Sequence, residues 1–178
     1  MRADPGPFEG MLVIHPRVHA DERGRLFESI RTASWVAAGL PPLVQQNVSL
    51  SGRGVVRGLH FQRPPHAQGK LVQVLRGAIH DVVLDLREGS PTLGRWGSLR
   101  LDGDAATQLW VPPGFAHGFQ ALEEETLVAY FLSAPYEASA EGAWHPLSRS
   151  LGIDWPLADV RLSPKDASAP MYPDVRAR

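Results

Sequence analysis

The sequence predicts an all-β chain folded as one domain, either a barrel or a sandwich. Short runs rich in β-branched and aromatic residues recur at intervals of roughly 8–12 residues, the spacing of antiparallel sandwiches and barrels. The 17 glycines and 16 prolines fall between those runs. Helix signals are few and short.

The runs follow one another in a regular order. Met11–His15 comes first, then the turn signal Asp21-Glu-Arg-Gly24 and the run Arg25–Ile30. Thr32–Leu40 has the composition for about two helical turns, stopped by Pro41-Pro42. Val44–Leu50, Val55–Phe61, Lys70–Leu75 and Ala78–Leu86 follow, then Gly94–Leu101, Thr107–Val111, Ala116–Leu122 and Thr126–Leu132. Arg76-Gly77 and Asp102-Gly103 read as hairpin turns. Past Trp155 the alternation stops, which predicts an extended tail wrapped over the surface. The whole chain, residues 1–178, reads as a single domain without repeats or linkers.

Composition narrows the function. The 43% apolar residues suffice for a packed core, and 18 basic against 19 acidic side chains give a formal charge of −1. That balance predicts no nucleic-acid partner, since such a surface needs a basic excess. With no cysteine, disulfides, thiolate-bound zinc and thiol nucleophiles are excluded. No apolar run approaches the roughly 18 residues of a membrane span. The N-terminal residues lack the apolar centre of a signal peptide, so a cytoplasmic protein is expected.

Several polar residues interrupt apolar strands. In Leu59-His-Phe-Gln62, alternation puts His60 and Gln62 on one face and Leu59 and Phe61 on the other. His60 points outward if the aromatic face is the core, and lines the lumen if the sheets enclose a ligand cavity. Pro113-Gly-Phe-Ala-His117 delivers a second histidine just after a tight turn. Lys70 opens a strand, Tyr130 lies inside one, and Asp166 lies in the tail, where an Asp commonly makes a turn. Each has an ordinary structural reading when taken alone.

The spacing of Pro113, Gly114 and His117 resembles the second motif of the cupin β-barrels. Metal-binding cupins also resemble one another in a His-x-His motif followed by Glu, whereas this chain has His60-Phe-Gln62 and no Glu before Lys70. Two candidate ligands in a basic setting fall short of the three or four a mononuclear metal takes. No metal and no cofactor are therefore expected.

The set Arg57-Gly-Leu-His60, Gln68-Gly-Lys70, Asp85-Leu-Arg-Glu-Gly-Ser-Pro-Thr92, Gly94-Arg-Trp96, Pro113-Gly-Phe-Ala-His-Gly118 and Leu162-Ser-Pro-Lys-Asp166 resembles the dTDP-4-dehydrorhamnose 3,5-epimerase family. The resemblance runs from about Gly10 to Pro173. It implies a cupin-type double-stranded β-helix, a jelly-roll barrel, acting on a dTDP-4-keto-6-deoxyhexose. The C4 ketone of such a sugar acidifies carbons three and five, so a base, an acid on the opposite face and a cation at the enolate oxygen suffice to invert them.

By the same resemblance His60 is the base, Asp166 its orienting carboxylate, Tyr130 the proton donor, and Lys70 the cation at the C4 oxygen. Arg23 and Arg57 match diphosphate ligands. Tyr136 matches the aromatic residue that stacks on thymine, and Glu28, Gln45, Asn47, His117, Glu141 and Lys165 match further substrate contacts. Arg57 and His60 would occupy opposite faces of a regular strand, and Gly58 between them permits a bulge that turns both inward. His66 is expected in a surface loop without a role.

Family members are generally homodimers whose N-terminal strands reach the partner's site, which would let Arg23 and Glu28 act across an interface. One departure stands out: Phe131-Leu-Ser follows Tyr130 where many members carry a lysine or another polar residue. Related enzymes invert carbon three or carbon five alone, and the shared proton machinery does not separate those outcomes. More distant alternatives are a metal-dependent cupin, a ketoisomerase of the same keto sugar, and a non-catalytic sugar-nucleotide binding module. The last would be expected to lack one of His60, Lys70, Tyr130 or Asp166.

Overall fold

The computed structural model describes residues 2–173. Along them run β1 (Arg2–Pro5), β2 (Leu12–His15), β3 (Val18–Asp21), β4 (Gly24–Phe27) and helix α1 (Thr32–Ala37). Then come β5 (Gln45–Ser51), β6 (Val56–Gln62), β7 (Lys70–Arg76), β8 (Ala78–Asp85), β9 (Trp96–Asp102) and β10 (Gln108–Val111). β11 (Phe115–Ala121), β12 (Thr126–Leu132), β13 (Glu141–Ala143) and the single-turn helix α2 (Pro164–Ala167) complete them. Nearly every run expected from alternation is a strand. The short strands β1, β3 and β13, and α2, were not anticipated.

Two antiparallel sheets face each other, six strands in the order β1-β2-β10-β7-β12-β5 against five in the order β13-β6-β11-β8-β9, while β3 and β4 form a separate hairpin. This is the jelly-roll arrangement of the cupin barrels. It corrects the reading of Arg76-Gly77 and Asp102-Gly103, which are corners and not hairpin turns. Each passes the chain from one sheet to the other, β7 to β8 and β9 to β10. A turn dipeptide encodes the reversal, here through a left-handed Gly77 at φ 76°, but not which strand the chain will pair with next. The two corners meet where Gly103 N–H donates to the Gly77 carbonyl at 2.9 Å.

Apolar clusters lie between the two sheets and outside each of them, three in all. Between the sheets, Val72, Val74, Leu109 and Val128 pack against Ile79, Val83, Leu101, Phe115 and Phe119. Outside the six-stranded sheet, Trp35 of α1 packs on Ile14, Leu71 and Trp110, its ring edge-on to Trp110 at 5.1 Å. Outside the five-stranded sheet, Leu59, Val82, Leu84 and Ala116 pack against Leu151, Trp144, Trp155 and Tyr172 of the tail. The tail does wrap the surface, yet it is held by specific bonds: Trp96 Nε1–H donates to the Leu151 carbonyl at 2.8 Å. The motif at Asp85 is also architectural. Burial pushes its carboxyl up, but hydrogen bonds from Arg87, Thr92 and Ser90 outweigh that and hold it far below the usual carboxylate range.

The expected bulge lies in β6. His117 pairs with His60 while Phe119 pairs with Arg57, so one residue of β11, Gly118, opposes Gly58 and Leu59 together. Gly58 has φ 133°, and a Cβ there would lie 2.5 Å from the Gly118 Cα. Only glycine fits, in conformation and in space. The extra residue resets the alternation, so Arg57 and His60 border the same cavity. Gly58→Ala is therefore expected to cost about 2 kcal/mol or more, a fall in Tm of at least about 4 °C for a chain of this size. Thermal unfolding that matches the unsubstituted protein would refute the requirement.

Candidate active site

A cavity of about 260 Å³ opens between the sheets, walled by Arg57 and His60 of β6, His117 and Phe119 of β11, Lys70 of β7 and Tyr130 of β12. Helix α2 crosses it with Ser163, Lys165 and Asp166. Seven of the thirteen residues singled out from the sequence thus converge on one cavity. His60 faces the lumen and not the solvent, because the opposite face of β6 is buried under the tail.

Two histidine–carboxylate pairs stand on neighbouring strands. His60 Nε2 lies 2.6 Å from Asp166 Oδ1, and His117 Nε2 lies 2.8 Å from Asp81 Oδ2. A carboxylate at Nε2 holds the proton there and leaves Nδ1 as the nitrogen free to exchange protons or meet a ligand. Burial would raise the Asp166 carboxyl. The hydrogen bond and charge of His60, the Ser163 hydroxyl and the nearby Lys165 outweigh burial and keep it lowered.

Asp166 owes its aim to the first turn of α2. Ser163 Oγ accepts the Asp166 N–H at 3.0 Å and donates to Asp166 Oδ2 at 2.9 Å, a reciprocal N-cap. One carboxylate oxygen is fixed by the cap, so the other is presented to His60. Pro164 at the first helical position suits this start.

Lys70 Nζ donates to the His60 carbonyl at 3.2 Å. Burial lowers its pKa to about 8, against the opposing charges of Asp81 and Glu141. Tyr130 enters from β12 on the opposite sheet to His60. At the mouth, Glu141 Oε2 accepts both Tyr136 O–H at 2.9 Å and Lys165 Nζ at 2.6 Å. That hydrogen bond raises the tyrosine and lysine pKa values, and the two donors outweigh burial to lower that of Glu141. Gln45 bonds Asn47 at 3.0 Å and accepts the Tyr136 N–H at 2.8 Å, tying β5 to the same rim. Arg57 is braced by Ser51 Oγ at 3.0 Å.

Arg23 and Glu28 stand apart. Arg23 pairs with Asp21 in its own exposed hairpin, and Glu28 with Arg31. Neither borders the cavity. His66 is exposed in a loop, as expected. Ser163, Phe119 and Asp81 were not singled out from the sequence. The first was legible as a Ser-x-x-Asp capping signal, and the last as a charge inside the apolar run Ala78–Leu86. Among the described residues, no three His, Asp or Glu side chains converge in the manner of a metal site.

The sequence profile described as dTDP-4-dehydrorhamnose 3,5-epimerase matches residues 5–174. A protein of that name from Mycobacterium tuberculosis is 43% identical over 97% of this chain and 86% of its own length. A dTDP-4-dehydrorhamnose 3-epimerase from Streptomyces niveus is 41% identical over 99% of this chain and 86% of its own. The crystal structure of a dTDP-6-deoxy-D-glucose-3,5-epimerase from Legionella pneumophila, in complex with dTDP-4-keto-L-rhamnose, superimposes with a TM-score of 0.90. It shares 41% identity, covering 96% of this chain and 92% of that one.

Because the folded carboxyl of Asp166 is lowered, the stability its anion supplies is complete above the ordinary carboxylate range and is lost as the pH falls through the folded value. Asp166→Asn should thus be clearly less stable than the unsubstituted protein at pH 7. The difference should begin to narrow as the pH falls below roughly 4, where the unfolded carboxyl takes up its proton, and go on narrowing down through the lower folded value. A destabilisation that stays constant from pH 7 to pH 3 in thermal unfolding would refute the assignment.

Proposed function

The chain belongs to the dTDP-4-dehydrorhamnose 3,5-epimerase family, and we propose that it inverts carbons three and five of dTDP-4-dehydro-6-deoxy-D-glucose to give dTDP-4-dehydro-L-rhamnose. The observation that carries this reading is the disposition of His60 and Tyr130. They enter one cavity from opposite sheets, a base facing an acid across the space a sugar ring would fill.

His60 Nδ1 takes the proton from the carbon beside the ketone, and the electron pair moves onto the C4 oxygen as an enolate. Asp166 at Nε2 stabilises the imidazolium that forms. The Lys70 ammonium balances the oxyanion, which in a water-poor cavity is worth a few kcal/mol. Tyr130 O–H returns a proton to the opposite face, inverting the carbon, and exchange with solvent restores both groups before the second inversion. Arg57 and His117 suit the diphosphate, and the Tyr136, Glu141 and Lys165 cluster at the mouth suits the base and sugar hydroxyls.

In deuterated water with dTDP-4-dehydro-6-deoxy-D-glucose, NMR should find deuterium at both carbons. His60→Ala should lower its incorporation at least about a hundredfold. Deuterium at one carbon alone would assign instead the single-position activity for which the Streptomyces niveus relative is named. Incorporation at neither would overturn the reading.

The same reading makes the protein a homodimer. Every residue of the β3–β4 hairpin except Phe27 is exposed, Leu26 at 73%. The edge strand β5 displays Val48 and Leu50 beside Val44. An apolar sheet face next to a projecting hairpin supports exchange of hairpins between two copies. Arg23 and Glu28 would thereby reach a cavity they do not reach within one chain. Light scattering should report a dimer, and Arg23→Ala should raise KM for the sugar nucleotide with little change in kcat. A monomer of full affinity would refute the exchange.

A further inference from the structure

Behind His117, which borders the cavity, Asp81 of β8 has no exposed surface. Its Oδ2 takes the His117 Nε2–H at 2.8 Å. Its Oδ1 is buried without a partner among the described residues. No step of the reaction above uses it. A carboxylate left half unsatisfied in a packed interior is costly, so whatever its charge acts upon must lie close by.

The other carboxylates around the cavity are held by side chains of the site. Asp166 is bonded by His60 and Ser163, and Glu141 by Tyr136 and Lys165. The charged and titratable groups around Lys70 are Arg57 and His60 on β6, His117 on β11, Tyr130 on β12, Lys165 and Asp166 on α2, and Glu141 on β13. Most are cationic or basic. Asp81 on β8 opposes them together with Glu141, and it alone of the two is wholly buried.

We propose that Asp81 is a positioning residue of this site, the fixed counter-charge of the Lys70 ammonium and the clamp on the His117 ring. The inference rests on the epimerase reading of the cavity. Of the charges acting on Lys70 against burial, that of Asp81 is the strongest. With it in place the lysine keeps its proton up to about pH 8. Without it the lysine would be neutral over part of the neutral range, and the enolate oxygen would meet an amine in place of a cation.

The test is an NMR titration of substrate-free protein carrying 13C at the lysine Cε, with the Lys70 signal assigned through Lys70→Arg. The wild-type midpoint is expected near 8, and Asp81→Asn, an isosteric change, should lower it by about one unit or more. An unchanged midpoint overturns the proposal. Asp81→Glu retains the charge and should keep the midpoint within a few tenths of wild type. A fall of about one unit or more in that variant also overturns it, and this comparison is with wild type, so it stands if Asp81→Asn fails to fold. In turnover, the alkaline limb of the kcat profile should move to lower pH in Asp81→Asn by the same interval. A loss equal at every pH would mark a merely structural residue and overturn the proposal. The titration needs no substrate, so it judges Asp81 even if the wild-type protein fails to exchange deuterium, the result that sinks the epimerase reading itself.

Discussion

Charge enclosed between two β-sheets is the constraint on which this molecule is organised. An isolated ion in a packed interior is too costly to keep, so each imidazole of the lumen has a carboxylate supplied by a different element. Asp166 comes from α2 to His60, and Asp81 from β8 to His117. Because both contacts are made through Nε2, both rings keep Nδ1 for other use. The pairing that makes the histidines tolerable inside the fold is also what orients them. The lysine is placed by the same rule, its ammonium resting on the backbone carbonyl of His60.

That interior polarity depends on apolar layers outside. In an ordinary antiparallel sheet the polar face meets water and the apolar face meets the core. β6 reverses this. Leu59 and Phe61 face outward beneath Trp144 and the rest of the tail, while His60 faces inward. On β7, Leu71 packs outward under α1 with Trp110, and Val72 and Val74 fill the interior beside Lys70. Without α1 and the tail, the sheets would expose their aromatic faces, and nothing would compel the polar faces to turn toward each other.

Much of this was legible in the sequence, and the rest was hidden for definite reasons. Strong alternation marked the long strands, but a three-residue strand such as β13 is too short to show a period. The face of His60 stayed ambiguous because alternation separates two faces without saying which is covered. Turn dipeptides at Gly77 and Gly103 showed where the chain reverses, and sheet membership decided that they are corners. The bulge at Gly58 could be anticipated, since Arg57 and His60 cannot share a face without one. Gly118 as its counterpart could not, because the pairing of β6 with β11 is a tertiary fact. Asp81 lay inside the apolar run Ala78–Leu86, where an acid between apolar neighbours was itself the clue. Arg23 and Glu28, named by resemblance, remain outside the cavity of a single chain.

The tail carries one further meaning, concerned with the order of synthesis. Every strand of both sheets lies within residues 2–143, whereas the carboxylate that completes the His60 pair is at position 166. As the chain leaves the ribosome, the elements of the barrel are all available before the residue that charges its base. A barrel closed ahead of its tail would hold an imidazole without a carboxylate and an aromatic surface without a cover. Docking of the tail removes both defects at once, so the event that hides the last sticky surface of the nascent protein is also the one that switches its chemistry on.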